Sequence, residues 1–588
     1  MAVENLITEH IDIWTSAVKT RSTSGRGSSK KLELYGVKKL RELILELAVR
    51  GKLVPQDSND EPASVLLERI AQEKTQLIKD KKIKCSKKLP PVAEEGLKDD
   101  LPLGWQVSRL GEFVSIIRGI TFPASAKHDE PESNLIACLR TANVQTQLDW
   151  DDLIYVDRSY VKREEQMLAV GDIVMSMANS RELVGKVSYT YFLPKNLDVS
   201  FGGFLSVIRP YQLDSAFLMM VLRSPSVRDE LVGSSSQTTN IANISLEKLN
   251  PLVVSIPPLK EQHRIVAKVD ELMALCDQLE QQTEDSIEAH QVLVTTLLDT
   301  LTNSADADEL MQNWARISEH FDTLFTTEES IDQLKQTILQ LAVMGKLVPQ
   351  DPTDEPASEL LKRIAEEKAQ LVKENKIKKQ KALPPISEDE KPFELPSGWE
   401  WCRFGNVATS RLGKMLDKSK NVGAPLPYLR NTNVQWHKFD LDDVKLMKIE
   451  DSEREEFLVL PGDLLICEGG EPGRCAIWED EKQEIYFQKA LHRARPLGQC
   501  LPEYLQVCLT VDAANGVLDN YFTGATIKHF VGAKLNNYIH PLPPVEEQKR
   551  IVNKISDLIK ICEQLKCLLR QSQTTQLHLT DAIVEQAV

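Results

Sequence analysis

Apolar residues recur at helical spacing in two stretches of the chain that match each other. Residues 40–84 and 334–378 share 31 of 45 residues without a gap, at a constant offset of 294. In each copy a first amphipathic run ends at a glycine, Gly51 or Gly345, the residue that helix C-termini favour. A second run begins at Asp-Glu-Pro-Ala-Ser, with acids and a proline where a first helical turn prefers them. The pattern predicts two helices per copy in a tandemly duplicated chain.

A second apolar pattern, also present twice, predicts two longer helices. It follows the motif PP-x-x-EQ-x-RIV at 257–266 and 543–552. Apolar residues then recur every three or four positions, at Ile265, Val269, Leu272, Cys276 and Leu279, and at Ile551, Ile555, Leu558, Cys562 and Leu565. This spacing is typical of a core stripe on packed helices. We therefore expect the helices of the two halves to pair as an antiparallel, coiled-coil-like element.

The segments between the helical regions contain short β-rich runs separated by turn residues. Three landmarks occur in both: LP-x-GW at 101–105 and 395–399, LR-x-x-NVQ at 139–145 and 429–435, and Gly-Asp with an apolar run at 171–176 and 462–467. Between the landmarks the two segments differ freely. Short apolar runs bounded by turns predict a mixed α/β, mainly β domain. The predicted fold class is therefore α+β, with one domain fold used twice and two divergent surfaces.

The order of these patterns divides the chain into six regions. Residues 1–20 have the spacing of a short amphipathic helix, and the Ser/Gly/basic run 21–31 is interpreted as a linker with nothing to bury. The predicted regions are an N-terminal helix and linker at 1–32, a helical region at 33–100, a β-rich domain at 101–256, a central helical region at 257–394, a second β-rich domain at 395–542 and a C-terminal helix at 543–588. Because a helix enters and leaves each domain, we expect a pseudo-twofold arrangement with helices between the domains.

Composition narrows the class of protein without changing this architecture. The 588 residues are 42% hydrophobic and 27% charged, which is ordinary for a soluble globular protein. No apolar run approaches the roughly 18 residues that cross a bilayer, and the N-terminus lacks a signal pattern, so we expect a cytoplasmic protein. The ten cysteines form no C-x-x-C pair and are interpreted as reduced thiols.

The sequence contains few patterns that carry catalysis. It has no G-x-x-x-x-G-K-[ST] loop for nucleotide phosphates, no H-E-x-x-H pair and no Asn/Asp-Pro-Pro-aromatic motif for amino-methyl transfer. The acid clusters Asp149/Asp151/Asp152 and Asp442/Asp443 have the residue types of metal ligands, but solvated loop ends explain them better. We therefore interpret the chain as a binding protein without catalytic residues, cofactor or metal.

The duplicated order of helix, domain and helix, together with the motifs GKLVPQD, DEPAS, LP-x-GW and PP-x-x-EQ-x-RIV, resembles the specificity subunit of type I restriction-modification enzymes. The long first repeat copy resembles the subgroup with an additional N-terminal conserved region, and the likeness covers roughly residues 33–570. It implies two target-recognition domains that each read one half of a bipartite double-stranded DNA sequence, with paired helices that fix the gap. A helix from Ile265 to Leu279 is about 20–25 Å long at ~1.5 Å per residue, which with its capped ends approaches one DNA turn of ~34 Å.

The resemblance also implies partners and cofactors outside this chain. The helices would dock two modification (methyltransferase) subunits, which bind S-adenosylmethionine and methylate adenine. Up to two restriction subunits would use ATP and Mg²⁺ for translocation and DNA cleavage. Two other classes stay open: a two-headed, non-enzymatic scaffold that binds protein, and a stand-alone restriction-methylation enzyme, which the missing catalytic motifs disfavour.

The acidic charge limits how the chain can bind DNA. Its net charge of −16 is opposite to the basic footprint that phosphate neutralisation needs. Residues 101–256 contain 14 basic and 17 acidic residues, and residues 395–542 contain 17 and 20. We therefore expect local patches to make the contacts, with much of the phosphate contact supplied by partner subunits.

The candidate DNA-binding residues are polar or basic side chains in predicted loops, because such side chains read base edges in a groove. In the first domain they are Arg118, Thr121, Arg140, Asn143, Gln145, Arg181, Ser236, Gln237, Thr238 and Asn240. In the second domain they are Arg411, Lys414, Arg430, Asn433, Gln435, Arg474, Thr526, Lys528 and His529. Since both domains share LR-x-x-NVQ, a structural or phosphate-binding role for those positions stays open.

Overall fold

The computed structural model of the chain describes residues 3–22, 30–80, 83, 89–92, 101–180, 183–195, 197–233, 236–238, 241–417, 419 and 421–588. The chain divides into two compact units, residues 1–286 with 572–588 and residues 287–571. Both units combine α-helices with several small sheets, which confirms the α+β fold class. No helix in the described part of the chain is both long and apolar enough to span a bilayer.

The helices of the first unit follow the apolar pattern of the first repeat copy. Tyr35–Val49 ends two residues before Gly51, which has a φ of +67°. A Cβ at Gly51 would also lie 2.5 Å from the Pro102 ring, so this turn requires glycine. Ala63–Lys79 begins directly after the Asp-Glu-Pro sequence, as predicted. The other helices lying wholly in this unit are Val3–Glu9, Ile11–Ser16, Leu110–Phe113, Ser215–Arg223, Pro225–Gly233 and Leu246–Leu249.

The N-terminal helix is broken in two, which the sequence did not predict. Val3–Glu9 and Ile11–Ser16 are separated at His10. Trp14 on the second of them is fully buried, and a Cβ at Gly36 would lie 2.3 Å from its carbonyl oxygen. Burial of an indole favours folding by a few kcal/mol, roughly 2–3 by area, which is enough to decide the path of so short a segment.

The predicted N-terminal linker contains strand residues at both ends. Lys19–Ser22 pairs antiparallel with Lys30–Glu33, with Arg21 opposite Lys31. The strand residues at both ends of the linker predicted over 21–31 were not expected from its composition. Residues 23–29 lie outside the described residues. Backbone hydrogen bonds form this ribbon, so a Ser/Gly/basic composition did not reveal it.

A four-stranded antiparallel sheet forms the centre of the first β-rich domain. Its strands, in spatial order, are Val114–Arg118, Leu205–Pro210, Ile173–Ser176 and Val187–Tyr189. A three-stranded sheet of Val199–Phe201, Leu135–Leu139 and Ile154–Asp157 shares one hydrophobic core with it. A small third sheet joins Ser236–Thr238, Ile241–Asn243 and Ala178–Asn179. The apolar run after Gly-Asp is thus a central strand, as predicted.

The first and last strands of this domain pair with each other. Gln106–Arg109 and Val253–Ile256 form an antiparallel two-stranded sheet, here called the stem of the domain. The Arg109 guanidinium donates hydrogen bonds to the carbonyl oxygens of Pro90 and Pro91, which precede the domain, and of Pro251. The domain therefore begins and ends at one place.

The second unit contains the second repeat copy. Glu328–Val343 is followed by Gly345 with a φ of +70°, and Ala357–Lys373 begins after the second Asp-Glu-Pro sequence. The other helices lying wholly in this unit are Ala307–Glu319, Phe321–Leu324, Phe404–Val407, Arg454–Phe457, Pro502–Ala514 and Gly532–Asn537. Both helices of the repeat are present where the pattern predicts them.

The second β-rich domain is built from sheets of the same kind. Its four-stranded antiparallel sheet has the order Ala408–Leu412, Leu491–Pro496, Leu464–Cys467 and Cys475–Ile477. A three-stranded sheet contains Lys445–Ile449, Ala424–Leu429 and Tyr486–Phe487, and Val434–Gln435 pairs with Lys438–Phe439. Glu400–Arg403 and Ile539–Leu542 form the stem. This domain also begins and ends at one place.

The two long helices are longer than the apolar spacing predicts. The first, Leu259–Thr302, contains 44 residues, and the second, Val545–Ala587, contains 43. The length predicted from Ile265 to Leu279 is therefore wrong. Residues 280–291 are mostly polar, so the apolar stripe that marks the start of the first helix does not mark its end.

The repeat helices pack against parts of the long helices within each unit. In the second unit one core contains side chains of Glu328–Val343 and of both long helices, namely Ile331, Leu334, Ile338, Leu341, Val294, Leu298, Leu301 and Cys562. Ion pairs surround it: Arg570 makes two hydrogen bonds to Glu328, and Lys335 lies 2.6 Å from Glu563. In the first unit Arg41 binds Asp277 and Glu280 at 2.7 and 2.6 Å.

Four of the shared motifs meet at a buried carboxylate in the first unit. The Trp105 indole N–H of LP-x-GW donates to Glu261 Oε1 at 3.1 Å, and Gln56 of GKLVPQD donates to the same oxygen at 3.3 Å. Glu261 is almost fully buried, and burial raises the pKa of its carboxyl. Beside it, Arg264 of the PP-x-x-EQ-x-RIV motif pairs with Asp60 of DEPAS at 2.7 Å. Gln56, Trp105 and Glu261 are called the junction of the first unit.

The second unit repeats the junction. The Trp399 indole donates to Glu547 Oε2 at 3.0 Å, and Gln350 donates to Oε1 of the same carboxylate at 3.2 Å. Arg550 pairs with Asp354 at 2.7 Å. These residue types recur in both halves because they attach each domain to its helices, and their side chains are engaged in that attachment.

The cysteines described in the structure are free and mostly buried. Of nine, eight are buried and only Cys567 is exposed. Burial raises the pKa of the buried thiols, to about 12 for Cys138 and Cys500. Such thiols are poor nucleophiles near neutral pH.

Candidate nucleic-acid interface

A tight turn lies at one end of the four-stranded sheet of the first domain. It spans Gly202–Leu205 and is closed by the Leu205 amide, which donates to the Gly202 carbonyl oxygen at 2.8 Å. The chain that leaves Val114–Arg118 runs against it, since the Gly119 amide donates to Leu205 at 3.2 Å. A Cβ at Gly119 would lie 2.2 Å from the Gly202 carbonyl oxygen, so this approach requires glycine.

Two further segments extend this end of the sheet. The Met177 amide donates to the Phe204 carbonyl oxygen at 2.9 Å, and the Met177 carbonyl accepts from Ile244 at 2.9 Å. The small third sheet follows directly, because Ala178–Asn179 pairs with Ile241–Asn243. Four segments that are distant in sequence are thus hydrogen-bonded side by side. They are called the sheet edge of the first domain: 118–121, 177–179, 202–205, and 236–238 with 241–244.

The second domain forms a sheet edge through the same main-chain contacts. The Leu491 amide closes the turn Gln488–Leu491 by donating to the Gln488 carbonyl oxygen at 3.0 Å. The Gly413 amide donates to the Leu491 carbonyl oxygen, also at 3.0 Å. A Cβ at Gly413 would lie 2.3 Å from the Gln488 carbonyl oxygen. The Glu468 amide donates to the Ala490 carbonyl oxygen at 2.9 Å, and the Glu468 carbonyl oxygen accepts from the Phe530 amide at 2.7 Å. The sheet edge of the second domain comprises 412–415, 468–470, 488–491 and 523–530.

Two predicted residues lie on the first sheet edge with free side chains. Arg118 ends its strand and is exposed, and no carboxylate among the described residues forms an ion pair with it. Thr121 is exposed beside the turn, where a Cβ at Gly203 would lie 3.3 Å from its hydroxyl. Ser236, Gln237 and Thr238 form the outer strand of the small sheet. The candidates Arg181 and Asn240 lie outside the described residues.

The LR-x-x-NVQ loop of the first domain is held by its own asparagine. Asn143 is 1% exposed; its carboxamide oxygen accepts from the Arg140 amide at 2.7 Å, and its nitrogen donates to the carbonyls of Asp149 and Asp152. Arg140 pairs with Asp152 at 2.6 Å. Gln145 is exposed and binds Lys186. Burial of Asn143 favours the structural role that the sequence left open, and a DNA contact by this residue stays a prediction.

The second domain repeats this arrangement. Asn433 is 2% exposed, accepts from the Arg430 amide at 2.9 Å and donates to the Asp440 and Asp443 carbonyls. Arg430 pairs with Asp443 at 2.8 Å, and Lys445 and Arg430 together lower the pKa of that carboxyl. Gln435 donates to the Thr432 carbonyl at 2.9 Å. Burial favours the same structural role for Asn433, and a DNA contact by this residue likewise stays a prediction.

Three basic candidates of the second domain are engaged within the domain. Lys414 is 6% exposed and pairs with Glu453, with its ammonium 5.9 Å from the Phe457 ring. Burial and this ion pair disfavour a DNA contact by Lys414, which stays a prediction. Arg411 pairs with Glu456 above the same ring. Arg474 binds Glu471 at 2.7 Å and the Asn431 carbonyl at 2.9 Å.

Three further candidates, Thr526, Lys528 and His529, are exposed on the second sheet edge, as expected for residues in a loop. His529 exchanges two backbone hydrogen bonds of 2.9 Å with Thr523, which closes the loop. Lys528 pairs with Asp519 at 2.9 Å. Each lysine or arginine candidate of this domain therefore forms an ion pair with a carboxylate of the same domain. These ion pairs reduce the positive charge that is available for DNA phosphates.

Sequence reasoning missed the chemistry of the shared Gly-Asp motif. Asp172 is 1% exposed, accepts from the Ala169 amide at 2.8 Å and receives two hydrogen bonds of 2.7 Å from Arg209. Asp463 binds the Leu460 amide and Arg495 in the same way, at 2.7 Å throughout. The signal was present, because both halves also share an Arg-Pro pair at the end of the next central strand.

Two exposed side chains on the turns were also missed. Phe204 occupies the turn of the first domain, and Lys489 occupies that of the second. Lys489 is exposed, and no carboxylate among the described residues pairs with it. Neither position belongs to a shared motif, so the sequence offered no reason to single them out.

The acid clusters are engaged in turns. The Asp149 carboxylate accepts from the Asp151 amide at 3.0 Å, and the Asp440 carboxylate accepts from the Asp442 amide at 3.1 Å. Across the described ranges, no group of three or more His, Cys, Asp or Glu side chains is arranged to hold a metal ion. The clusters therefore have a local structural explanation.

Comparison with known proteins places these domains in a family. Residues 102–289 and 396–571 match the family described as "Type I restriction modification DNA specificity domain". The chain is 43% identical to the type I restriction enzyme EcoAI specificity subunit of Escherichia coli and 42% identical to the EcoEI specificity subunit, in both cases over 100% of both chains. It is 24% identical to the EcoKI specificity subunit of Escherichia coli K12, over 83% of this chain and 89% of that one.

Solved structures are more distant. A chain from a structure of a type I R-M system matches with a TM-score of 0.46 and 18% identity, over 85% of this chain and 99% of that chain. The HsdS subunit of Thermoanaerobacter tengcongensis matches with a TM-score of 0.39 and 18% identity, over 83% and 97%. The full-length sequence identity and the two matched domains carry the assignment: this chain belongs to the family of type I restriction-modification specificity subunits.

Proposed function

We propose that the chain selects the DNA sequence on which a type I restriction-modification complex acts. Residues 101–256 and 395–542 would each read one half of a bipartite double-stranded sequence. The carrying observation is the 43% identity, over the whole of both chains, to a protein named as a specificity subunit. A two-headed scaffold that only binds protein has no comparable support.

The sheet edges support a reading role for the two domains. Each is a rigid set of four hydrogen-bonded segments, and the side chains it exposes differ between the domains: Arg118 and Phe204 in the first, Lys489 and Lys528 in the second. A constant backbone with variable polar and apolar side chains suits recognition of two different half-sites. We therefore assign one half-site to each edge.

We further propose that the helices set the gap between the half-sites and dock two modification subunits, in a pseudo-twofold arrangement. Those subunits would bind S-adenosylmethionine and methylate adenine, and restriction subunits would use ATP and Mg²⁺. This chain then needs no cofactor of its own, and the complex would act in the cytoplasm, where its DNA lies.

The charge of the domains gives this proposal a quantitative consequence. Because most candidate cations are paired internally, phosphate contacts must come largely from the modification subunits, and phosphate contacts dominate affinity. We expect the isolated chain to bind DNA weakly and the modification subunit to raise specific affinity by orders of magnitude. Tight binding by the isolated chain that survives raised salt would argue against this division of labour.

The experiment that tests the function is a methylation map of host DNA with and without the gene, together with co-purification of a methyltransferase subunit. We expect a bipartite methylated sequence that disappears with the gene and returns with the wild-type copy. Unchanged methylation, with or without capture of a methyltransferase, would contradict the proposal.

A further inference from the structure

Phe204 is the most exposed aromatic side chain in the described part of the chain, with 70% of its surface accessible. The other strongly exposed aromatic residues of the domain are supported by neighbours: the Tyr191 ring contacts Tyr189, and the Phe192 ring contacts Trp150. A single exposed apolar side chain is ordinary on a protein surface. What distinguishes Phe204 is where it lies and how it is held.

The backbone that carries Phe204 is fixed on both sides. Its carbonyl oxygen accepts from Met177, and the turn is closed by the 2.8 Å hydrogen bond between Leu205 and Gly202. Gly202 and Gly203 precede it, so the two preceding residues have no side chains that would keep a ligand away from the ring. An aromatic ring on a rigid backbone loses little conformational entropy when it is covered. This is the form of a preorganised contact residue.

The surroundings of Phe204 match an interface with DNA bases. Arg118 and Thr121, both exposed, lie on the adjoining segment, and the Thr121 hydroxyl would lie 3.3 Å from a Cβ at Gly203. Arginine and threonine supply hydrogen bonds to base edges, and an apolar side chain beside them supplies contact with the methyl group of thymine.

The second domain shows that this position is variable while its backbone is constant. The hydrogen bond that closes each turn and the bond from Gly119 or Gly413 correspond, and they place Lys489 at the position of Gly203 and Ala490 at the position of Phe204. The second turn has one more bond, from the Lys489 amide to the Lys414 carbonyl oxygen at 2.9 Å. A residue that merely shaped the turn would be needed in both domains. A large ring in one and a methyl group in the other is the difference expected where two half-sites differ.

We propose that Phe204 is a specificity-determining residue of the half-site read by the first domain, and that its ring contacts the 5-methyl group of a thymine in the major groove. The proposal rests on the function proposed above. It adds a named residue, a named chemical group on the DNA and a position on the sheet edge.

The test uses the complex of the full-length chain with its modification subunit, on the bipartite sequence found by methylation mapping. Each thymine of both half-sites is replaced in turn by uracil, which removes only the methyl group, and affinity is measured for wild type, Phe204→Ala and Phe204→Leu. For wild type we expect a loss of about fourfold at one thymine of one half-site, the value of one buried methyl group. Phe204→Ala should bind about tenfold or more weakly and lose that sensitivity, and Phe204→Leu should retain part of it.

The matched control is Phe192→Ala, because Phe192 is an exposed aromatic residue of the same domain outside the sheet edge. It should not change the thymine sensitivity. The proposal is overturned if Phe204→Ala keeps the wild-type response at every thymine, if the affected thymine lies in the half-site that follows the second domain, or if the variant fails to capture the modification subunit. A wild-type complex without any sequence preference would instead refute the proposed function itself.

Discussion

The two β-rich domains are alike in what attaches and folds them and unlike in what they expose. In both domains the buried carboxylate of the Gly-Asp motif, Asp172 or Asp463, binds an arginine of the neighbouring central strand. Both hold an indole against a buried glutamate at the junction. At the sheet edge, by contrast, one turn carries Phe204 and the other Lys489. Shared residues therefore mark the scaffold, and unshared residues mark the surface that a partner meets.

A second difference lies inside the domains. In the second, the Tyr538 hydroxyl donates to Asp512 at 2.6 Å, and His540 is buried against Cys402. Backbone contacts place Leu252 and Val254 at the positions of Tyr538 and His540 in the first domain. The same fold is thus filled by apolar side chains in one unit and by a partly polar set in the other, which gives the units different responses to pH.

The exchange of one domain tests whether the two domains read their half-sites independently, and it has the largest expected effect. Replacing residues 101–256 by another domain of the family that carries its own LP-x-GW tryptophan should replace one half of the methylated sequence completely. The other half and the gap should stay, because the second unit has its own junction, core and edge. Methylation mapping of the exchange strain measures this. A change in both halves would show that the domains do not read independently.

Removing the buried carboxylate of the Gly-Asp motif from one domain should lower the stability of that domain and leave the other domain unchanged. Asp172→Ala leaves the Ala169 amide without its acceptor and removes two of the three hydrogen bonds that the Arg209 guanidinium donates, the third being to the Met167 carbonyl oxygen. We expect a cost of about 3 kcal/mol. Hydrogen exchange followed by mass spectrometry should show reduced protection in peptides of 101–256 only. Asp463→Ala is the matched variant and should act on 395–542 only. Equal loss in both regions for either variant would contradict separate cores.

The smallest expected effect is a pH response confined to the second unit. Burial raises the pKa of Asp512 to about 6, so the folded state holds a proton that the unfolded state releases from about pH 4 upward. The stability that this proton supplies is present at low pH and is lost as the pH rises through about 6. Asp512→Asn should therefore stabilise the unit relative to wild type by roughly 2 kcal/mol more at pH 7 than at pH 4.

The comparison with the variant is needed because His540 acts in the opposite direction. Burial lowers its pKa to about 3, so it contributes stability that is lost as the pH falls below about 6.5. Hydrogen exchange in peptides of 395–542, measured for both proteins at several pH values, isolates the Asp512 contribution. A difference between the proteins that does not change with pH would contradict the assignment.

The apolar periodicity predicted the repeat helices and the strands after Gly-Asp, because burial on one face sets their sequence pattern. It did not predict the full length of Leu259–Thr302, whose middle is polar, nor the pairing of Lys19–Ser22 with Lys30–Glu33, which depends on backbone hydrogen bonds. Helix ends and ribbons of this kind leave little trace in side-chain hydrophobicity.

The candidate site was predicted less well than the fold, for a physical reason. Selecting polar residues in predicted loops favoured Asn143, Asn433 and Lys414, which the folded chain buries. Burial of a polar side chain depends on distant partners, such as the carbonyls of Asp149 and Asp152, that no local pattern reveals. The unshared turn positions became visible only when the hydrogen bonds of both edges could be matched.

The stem has a consequence for how the gene can change. Two strands of four residues each, Gln106–Arg109 and Val253–Ile256, together with the Trp105–Glu261 contact, form the physical boundary of the first domain. A recombination event need only preserve those short coding stretches to insert a new reader between unaltered helices. New DNA targets can therefore arise by exchange of a whole cassette in one step, without passing through a series of weakened point mutants.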